Sequence, residues 1–192
     1  MDGNKKINAV LISVFNKTGL KPLVDEFKSQ GVKIYSTGGT FEYIRSLGAE
    51  PVTIESITGY PSILGGRVKT LHPKVFGGIL GRRESAEDKE QMQEYEIPAF
   101  DMVIVDLYPF EQTVAQTDDE SEIIEKIDIG GISLIRAAAK NHRDVLIIPS
   151  SDYYDEALKI LKPGKGVSTL KERRYFAARA FEVSSHYDVA IF

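Results

Sequence analysis

The stretch GGRVKTLHPK, Gly65 to Lys74, sets two glycines directly before Arg67, Lys69 and Lys74, with His72 and Pro73 inside the cationic cluster. The chain around it is mildly acidic, with 24 Lys and Arg against 28 Asp and Glu and a net charge of −4. That balance argues against a general polyanion or nucleic-acid binder, so the local positive charge points to a small anionic ligand. Two other stretches have a composition that suits phosphate. SVFNKTG carries Ser13, Asn16, Lys17 and Thr18, and STGGT carries Thr37, Gly38, Gly39 and Thr40. Each follows an apolar run and opens a helical pattern. Hydroxyls, glycine N–H groups and a helix N-terminus together suit a phosphate, although either turn alone is also what an ordinary capped strand–helix turn looks like. VDLYPF places Asp106 and Tyr108 at the end of another apolar run, and IDIGG puts Asp128 just before a Gly-Gly helix start. Lys140, in AAAKNH, reads by itself as a lysine that stabilises a helix C-terminus. Taken with the phosphate turns, Arg67, Lys69, Tyr108 and Asp128, it becomes a candidate for chemistry.

The elements that must hold these residues follow from hydrophobic periodicity. INAVLISV (7–14) is a continuous apolar run suited to a strand buried on both faces. GLKPLVDEFKSQG follows as a helix, with Thr18 as its cap, Pro22 in the first turn and Gly31 as its stop. VKIYS is a second strand, GTFEYIRSLG a second helix and PVTIE a third strand. VFGGIL reads as a strand, SAEDKEQMQEYEI as a polar helix capped by Ser85, Met102–Leu107 as the most obvious buried strand, and QTDDESE as an acidic loop. EIIEKIDIGGISLIRAAAKNH reads as two helices broken at the glycines. DVLIIPS is a last strand, followed by helices near 152–161 and 168–181 with KPGKG as the turn between them. Strand–helix alternation of this kind predicts an α/β domain with a parallel sheet and right-handed crossovers. Ligands in such sheets bind beyond the carboxyl ends of the strands, where the candidate residues fall.

At 192 residues and 42% hydrophobic content, one domain with a full core is expected. The absence of cysteine excludes disulfides and thiolate metal sites. His72, His142 and His186 lie far apart in sequence, so no metal centre is expected. There is neither a signal-peptide pattern nor an apolar run of the ~20 residues a membrane span needs. A cytoplasmic location is expected.

SVFNKTGL, STGGT, GGRVKTLHPKVFGGIL, LYPF and IDIGGISLIRAAAKNH, in that order, resemble the IMP cyclohydrolase domain of the bifunctional AICAR transformylase/IMP cyclohydrolases of purine synthesis. The resemblance continues through RRYFAARAFEVSSHYDVAIF. It implies a methylglyoxal-synthase-like fold, a three-layer α/β/α sandwich on a mostly parallel sheet. It also implies that 1–192 is one cyclohydrolase-like domain, whose stretch from about 167 leads toward an absent transformylase domain linked in the native chain. The apolar run that ends at Phe192 agrees with such a junction. A homodimer is left open.

The implied reaction is ring closure of formyl-AICAR to IMP with loss of water, without a cofactor. The carboxamide nitrogen is a poor nucleophile, so a base must take its proton. Attack on the formyl carbon puts negative charge on oxygen, which needs donors, and loss of that oxygen as water needs an acid. By resemblance, Lys69 with Tyr108 stabilises the oxyanion, and Arg67 and Thr70 hold the base and ribose-phosphate region. Asp128 and Lys140 form the proton-transfer pair. The family's nucleotide-binding positions carry over to Phe15, Asn16 and Lys17, to Thr37, Gly38, Gly39 and Thr40, and to Arg67, Val68, Lys69 and Thr70. They continue with Val105 and Asp106 and end with Asp128, Ile129 and Gly130. Ser13 and Thr18 complete the phosphate turn.

Two residues depart from the pattern. Phe15 stands where many members have serine, which leaves only a backbone N–H for the phosphate there. Asp106 stands where asparagine is common, which adds negative charge near an anionic ligand. Geometry sets a further condition. A straight helix over residues 128–140 would hold Asp128 and Lys140 roughly 18 Å apart, so sharing a proton requires Asp128 to precede the helix and the helix to fold back or end early. A non-catalytic nucleotide-binding domain of the carbamoyl-phosphate synthetase type has the same fold and explains the phosphate turns, but not GGRVKTLHP together with LYPF and AAAKNH. Methylglyoxal synthase shares the fold and lacks these motifs.

Overall fold

The structure, a computed structural model, describes residues 3–162 and 166–192; most of the KPGKG turn lies outside them. In chain order the elements are β1 (Lys5–Lys6), β2 (Ala9–Ser13), α1 (Lys21–Gln30), β3 (Lys33–Ser36), α2 (Gly38–Ser46), β4 (Val52–Thr53), α3 (Ile54–Thr58), α4 (Pro73–Leu80) and α5 (Ala86–Glu94). They continue with β5 (Met102–Val105), α6 (Phe110–Val114), α7 (Glu120–Ile124), α8 (Gly130–Lys140), β6 (Leu146–Ile148), α9 (Tyr154–Leu161), β7 (Val167–Ser168) and α10 (Leu170–Ile191).

Five strands form one parallel sheet in the order β4-β3-β2-β5-β6. The apolar runs are central because both faces are covered: Val10, Leu11 and Ile12 of β2, Met102 to Ile104 of β5 and Leu146 to Ile148 of β6 are fully buried. Chain order runs β2 to β3 to β4 in one direction and β5 to β6 in the other. Right-handed crossovers therefore put the helices of the two halves on opposite faces. Accordingly α1 packs with α9, while α8 packs with α4 and α10 over β5 and β6. This is the expected α/β fold of methylglyoxal-synthase type. The strand order reverses between β2 and β5, and a ligand crevice opens at that switch point.

Some elements differ from the sequence reading. Thr18 does not cap α1; its N-cap is Leu20, and the Thr18 N–H donates to Asn16 Oδ1 in a local turn. VFGGIL is helix α4, begun by Pro73 and capped by the His72 ring, which accepts from the Lys74 N–H. Its glycines allow close approach: a Cβ on Gly77 would stand 3.0 Å from Ile97. The acidic loop contains the start of α7, capped by Asp119. Gly130 and Gly131 form the first turn of α8 and do not break it. The last helix runs on to Ile191, opened by a Thr169–Glu172 capping box. Below it, the buried Arg173 guanidinium donates to the carbonyls of Gly3, His142, Arg143 and Ser168 and so ties α10 to the chain's beginning.

Candidate active site

A cleft of about 620 Å³ opens at the carboxyl ends of β2, β3 and β5, within the size range of small-molecule sites. One end is built for an anion. Gly38 opens α2 with φ of 56°, a conformation side chains disfavour. A Cβ there would lie 3.3 Å from Lys69 Nζ, and one on Gly39 would lie 3.8 Å from Lys17 Nζ. Two ammonium groups thus flank a helix N-terminus, where N–H groups and dipole already favour negative charge. Burial lowers the Lys17 pKa, and the neighbouring Lys69 lowers it further against the pull of Asp106. An anion would relieve that repulsion. Ser13 also lines the cleft. The hydroxyls of Thr37 and Thr40, by contrast, are committed to the protein. Thr37 donates to Glu55 at 2.6 Å, and Thr40 donates to the Val14 carbonyl at 2.8 Å.

The middle of the cleft is the GGRVKT stretch. Leu64, Gly65 and Gly66 have successive φ values of 51°, 65° and 87°, so the chain reverses sharply here. Arg67 then forms an ion pair with Glu125 from beyond α7. Thr70 is buried at the cleft wall against Gly130, where a Cβ would lie 3.1 Å from its hydroxyl oxygen.

The other end carries Asp128. It precedes α8, and its Oδ1 accepts the Gly131 N–H at 2.7 Å. Gly131 leaves room for this carboxylate: a Cβ there would meet Asp128 Oδ2 at 2.6 Å and push it aside. Burial raises the Asp128 pKa, while the N–H groups of Gly131 and Tyr108 and the Lys69 charge pull it back. Tyr108 packs edge-on against Phe15, ring centres 5.3 Å apart, and its phenol is raised by burial and then by Asp128. A half-buried carboxylate of raised affinity for protons, with a cation and a phenol beside it, has the composition of a proton-transfer site with oxyanion donors.

The candidate residues do not all converge. Ser13, Phe15, Lys17, Thr37, Gly39, Thr40, Arg67, Lys69, Thr70, Asp106, Tyr108, Asp128, Ile129 and Gly130 line the cleft. Asn16 and Thr18 line a neighbouring hollow instead. Gly38, Val68 and Val105 do not line the cleft, and Val105 is buried in the core. Lys140 is exposed at the far end of α8. The helix is unbroken over its 11 residues, about 15 Å of rise, so the fold-back needed for Lys140 to meet Asp128 does not occur. The Phe15 N–H, expected to face phosphate, donates to Asp106, as does the Asn16 N–H at 2.9 Å. Asp106 therefore clamps the end of β2 to the end of β5 at the switch point, and burial raises its pKa. Glu125 and Lys126, which also line the cleft, escaped sequence reading because they lie in a segment with no motif of its own.

A family model described as the MGS-like domain matches residues 19–133, more than half of the chain. The chain belongs to the MGS-like domain family. A second model, described as the AICARFT/IMPCHase bienzyme, matches residues 138–192. This MGS-like chain is 56% identical over 192 residues to the bifunctional purine biosynthesis protein PurH of Bacteroides thetaiotaomicron and 44% identical over 191 residues to that of Cutibacterium acnes. It spans 38% and 37% of those relatives' lengths. The crystal structure of ForH superposes with a TM-score of 0.83 at 34% identity, covering 95% of this chain and 94% of that one.

Proposed function

We propose that this chain is an IMP cyclohydrolase unit that closes formyl-AICAR to IMP. The observation that carries the reading is the pairing, in one nucleotide-sized cleft, of an anion end at the start of α2 with the half-buried Asp128 carboxylate beside Lys69 and Tyr108. The PurH relatives support it.

The ligand phosphate sits at the α2 N-terminus beside Lys17 and Ser13, between the turns 13–18 and 37–40, which leaves Lys69 for the reacting end. Asp128, ionised, takes a proton from the carboxamide nitrogen as that nitrogen bonds to the formyl carbon. The formyl oxygen gains the electron pair, and Lys69 and the Tyr108 hydroxyl stabilise it. Asp128 returns that proton to the oxyanion, giving a hydroxyl. It then takes the proton from the former formamido N–H and passes it to the hydroxyl, which leaves as water as the C=N bond forms and the ring becomes aromatic. Lys140 has no part in this scheme within one chain. The chemistry calls for no cofactor, metal or redox step. Arg67 and Thr70 line the ribose side.

The bifunctional relatives and the match over 138–192 support a covalently linked transformylase unit reached through α10, with 1–192 as the cyclohydrolase unit. A cytoplasmic setting fits a purine-synthesis enzyme. Among the described residues no helix is long and apolar enough to cross a membrane. The purified chain, mixed with formyl-AICAR, should develop the ultraviolet spectrum of IMP. Tight IMP binding without conversion would instead favour a regulatory nucleotide-binding domain of the carbamoyl-phosphate synthetase type.

A further inference from the structure

We infer that Tyr187, on α10 and outside the main cleft, is the positioning residue that sets the Asp128 backbone; the kinetic part of this inference rests on the cyclohydrolase reading. The Tyr187 hydroxyl accepts the Asp128 N–H at 3.0 Å and donates to the Lys126 carbonyl. One phenol thereby bridges two alternate residues of the segment that joins α7 to α8. Within that segment the Lys126 and Ile127 N–H groups turn back to Ile123 and Ile124, and Gly131 N–H serves the Asp128 side chain. The Asp128 N–H has Tyr187 as its partner. The ring itself is buried and packs edge-on against Phe110, ring centres 6.3 Å apart, so the hydroxyl is delivered from a fixed platform. Burial keeps the phenol protonated and able to donate. Asp128 is thus held twice, its side chain by α8 and its main chain by α10. The platform belongs to the stretch matched by the AICARFT/IMPCHase model, whereas Asp128 belongs to the MGS-like match. The site is therefore completed across the boundary between the two models.

Tyr187→Phe keeps the ring and its contact with Phe110 and removes both hydrogen bonds. Turnover at saturating formyl-AICAR should fall about 10- to 100-fold, as expected for a misplacement of up to ~1 Å, with KM nearly unchanged. Amide hydrogen exchange over residues 126–131 should accelerate by roughly tenfold or more, as a lost local restraint predicts, while exchange in the middle of α10 stays as in the wild type. Turnover and exchange both equal to wild type would overturn the inference. So would lost turnover with unchanged exchange, because the hydroxyl would then act by some route other than holding this segment. If the wild type forms no IMP, the cyclohydrolase reading fails by itself. The exchange comparison then decides whether Tyr187 holds the segment, unchanged exchange refuting it.

Discussion

Replacing Gly131 by alanine separates activity from stability at a single atom. The added Cβ would lie 2.6 Å from Asp128 Oδ2, 3.0 Å from its Cγ and 3.1 Å from its Oδ1. Carbon contacts are comfortable at about 3.5–4.0 Å, so the carboxylate must retreat by roughly 1 Å. A displacement of that size from a near-attack geometry costs about 10²-fold in rate. The same change improves helix propensity by up to ~1 kcal/mol and weakens one hydrogen bond worth about 1 kcal/mol. These terms nearly cancel, so the thermal midpoint should move by no more than about 2–4 °C. Turnover at saturating formyl-AICAR and thermal unfolding, measured on the same preparation, decide the matter. An alanine variant with turnover within threefold of wild type would show that the observed placement of Asp128 is not what the reaction uses.

The remaining predictions concern charge. Lys140→Ala and Lys140→Arg should both keep turnover within about twofold, as for an exposed residue away from the site; a fall of ~10²–10⁴-fold would mean that Lys140 reaches a pocket other than its own chain's. Lys17→Met should weaken IMP binding by about 10- to 100-fold, the range for a lost charged hydrogen bond, and titration calorimetry measures it. The raised pKa of Asp128 gives a signed pH effect. Ionising this carboxylate opposes folding; the penalty is absent below the ordinary Asp value and grows as pH rises through the raised folded value. Asp128→Asn, which can still accept from Gly131, should therefore unfold at a higher temperature than wild type at neutral pH. That difference should vanish in acid below the ordinary value, and a variant less stable than wild type at neutral pH would contradict the assignment. For the wild type, kcat/KM should rise with pH through a value above the usual carboxylate range.

The parallel sheet was legible because β2, β5 and β6 are buried on both faces and so read as unbroken apolar runs. The two-residue strands β1 and β7 carry no periodic signal and exist only because the segment before α10 packs back against the beginning of the chain. VFGGIL misled because its glycines suggest a strand or turn, whereas Pro73 and the close approach of Ile97 make it a helix. At the site, Tyr108 could be read from a turn at a strand end, Asp128 from its place before a Gly-Gly helix start and Lys69 from its cationic stretch. Lys140 could be read as a motif residue, but its distance from Asp128 depends on whether one helix is straight. Neither Asp106 as a clamp on β2 nor Tyr187 as a support for Asp128 has a local signature. Each acts on backbone that is distant in sequence, and only the packed structure brings the partners together.

The central claim is that Asp128 moves the proton in ring closure. The direct test is the rate of IMP formation from formyl-AICAR by wild type and Asp128→Asn, with IMP affinity measured on both. The wild type should convert the substrate, and the variant should bind IMP with similar affinity while converting about 10²–10⁴-fold more slowly. Equal rates for the two, or no conversion by the wild type, would contradict the claim.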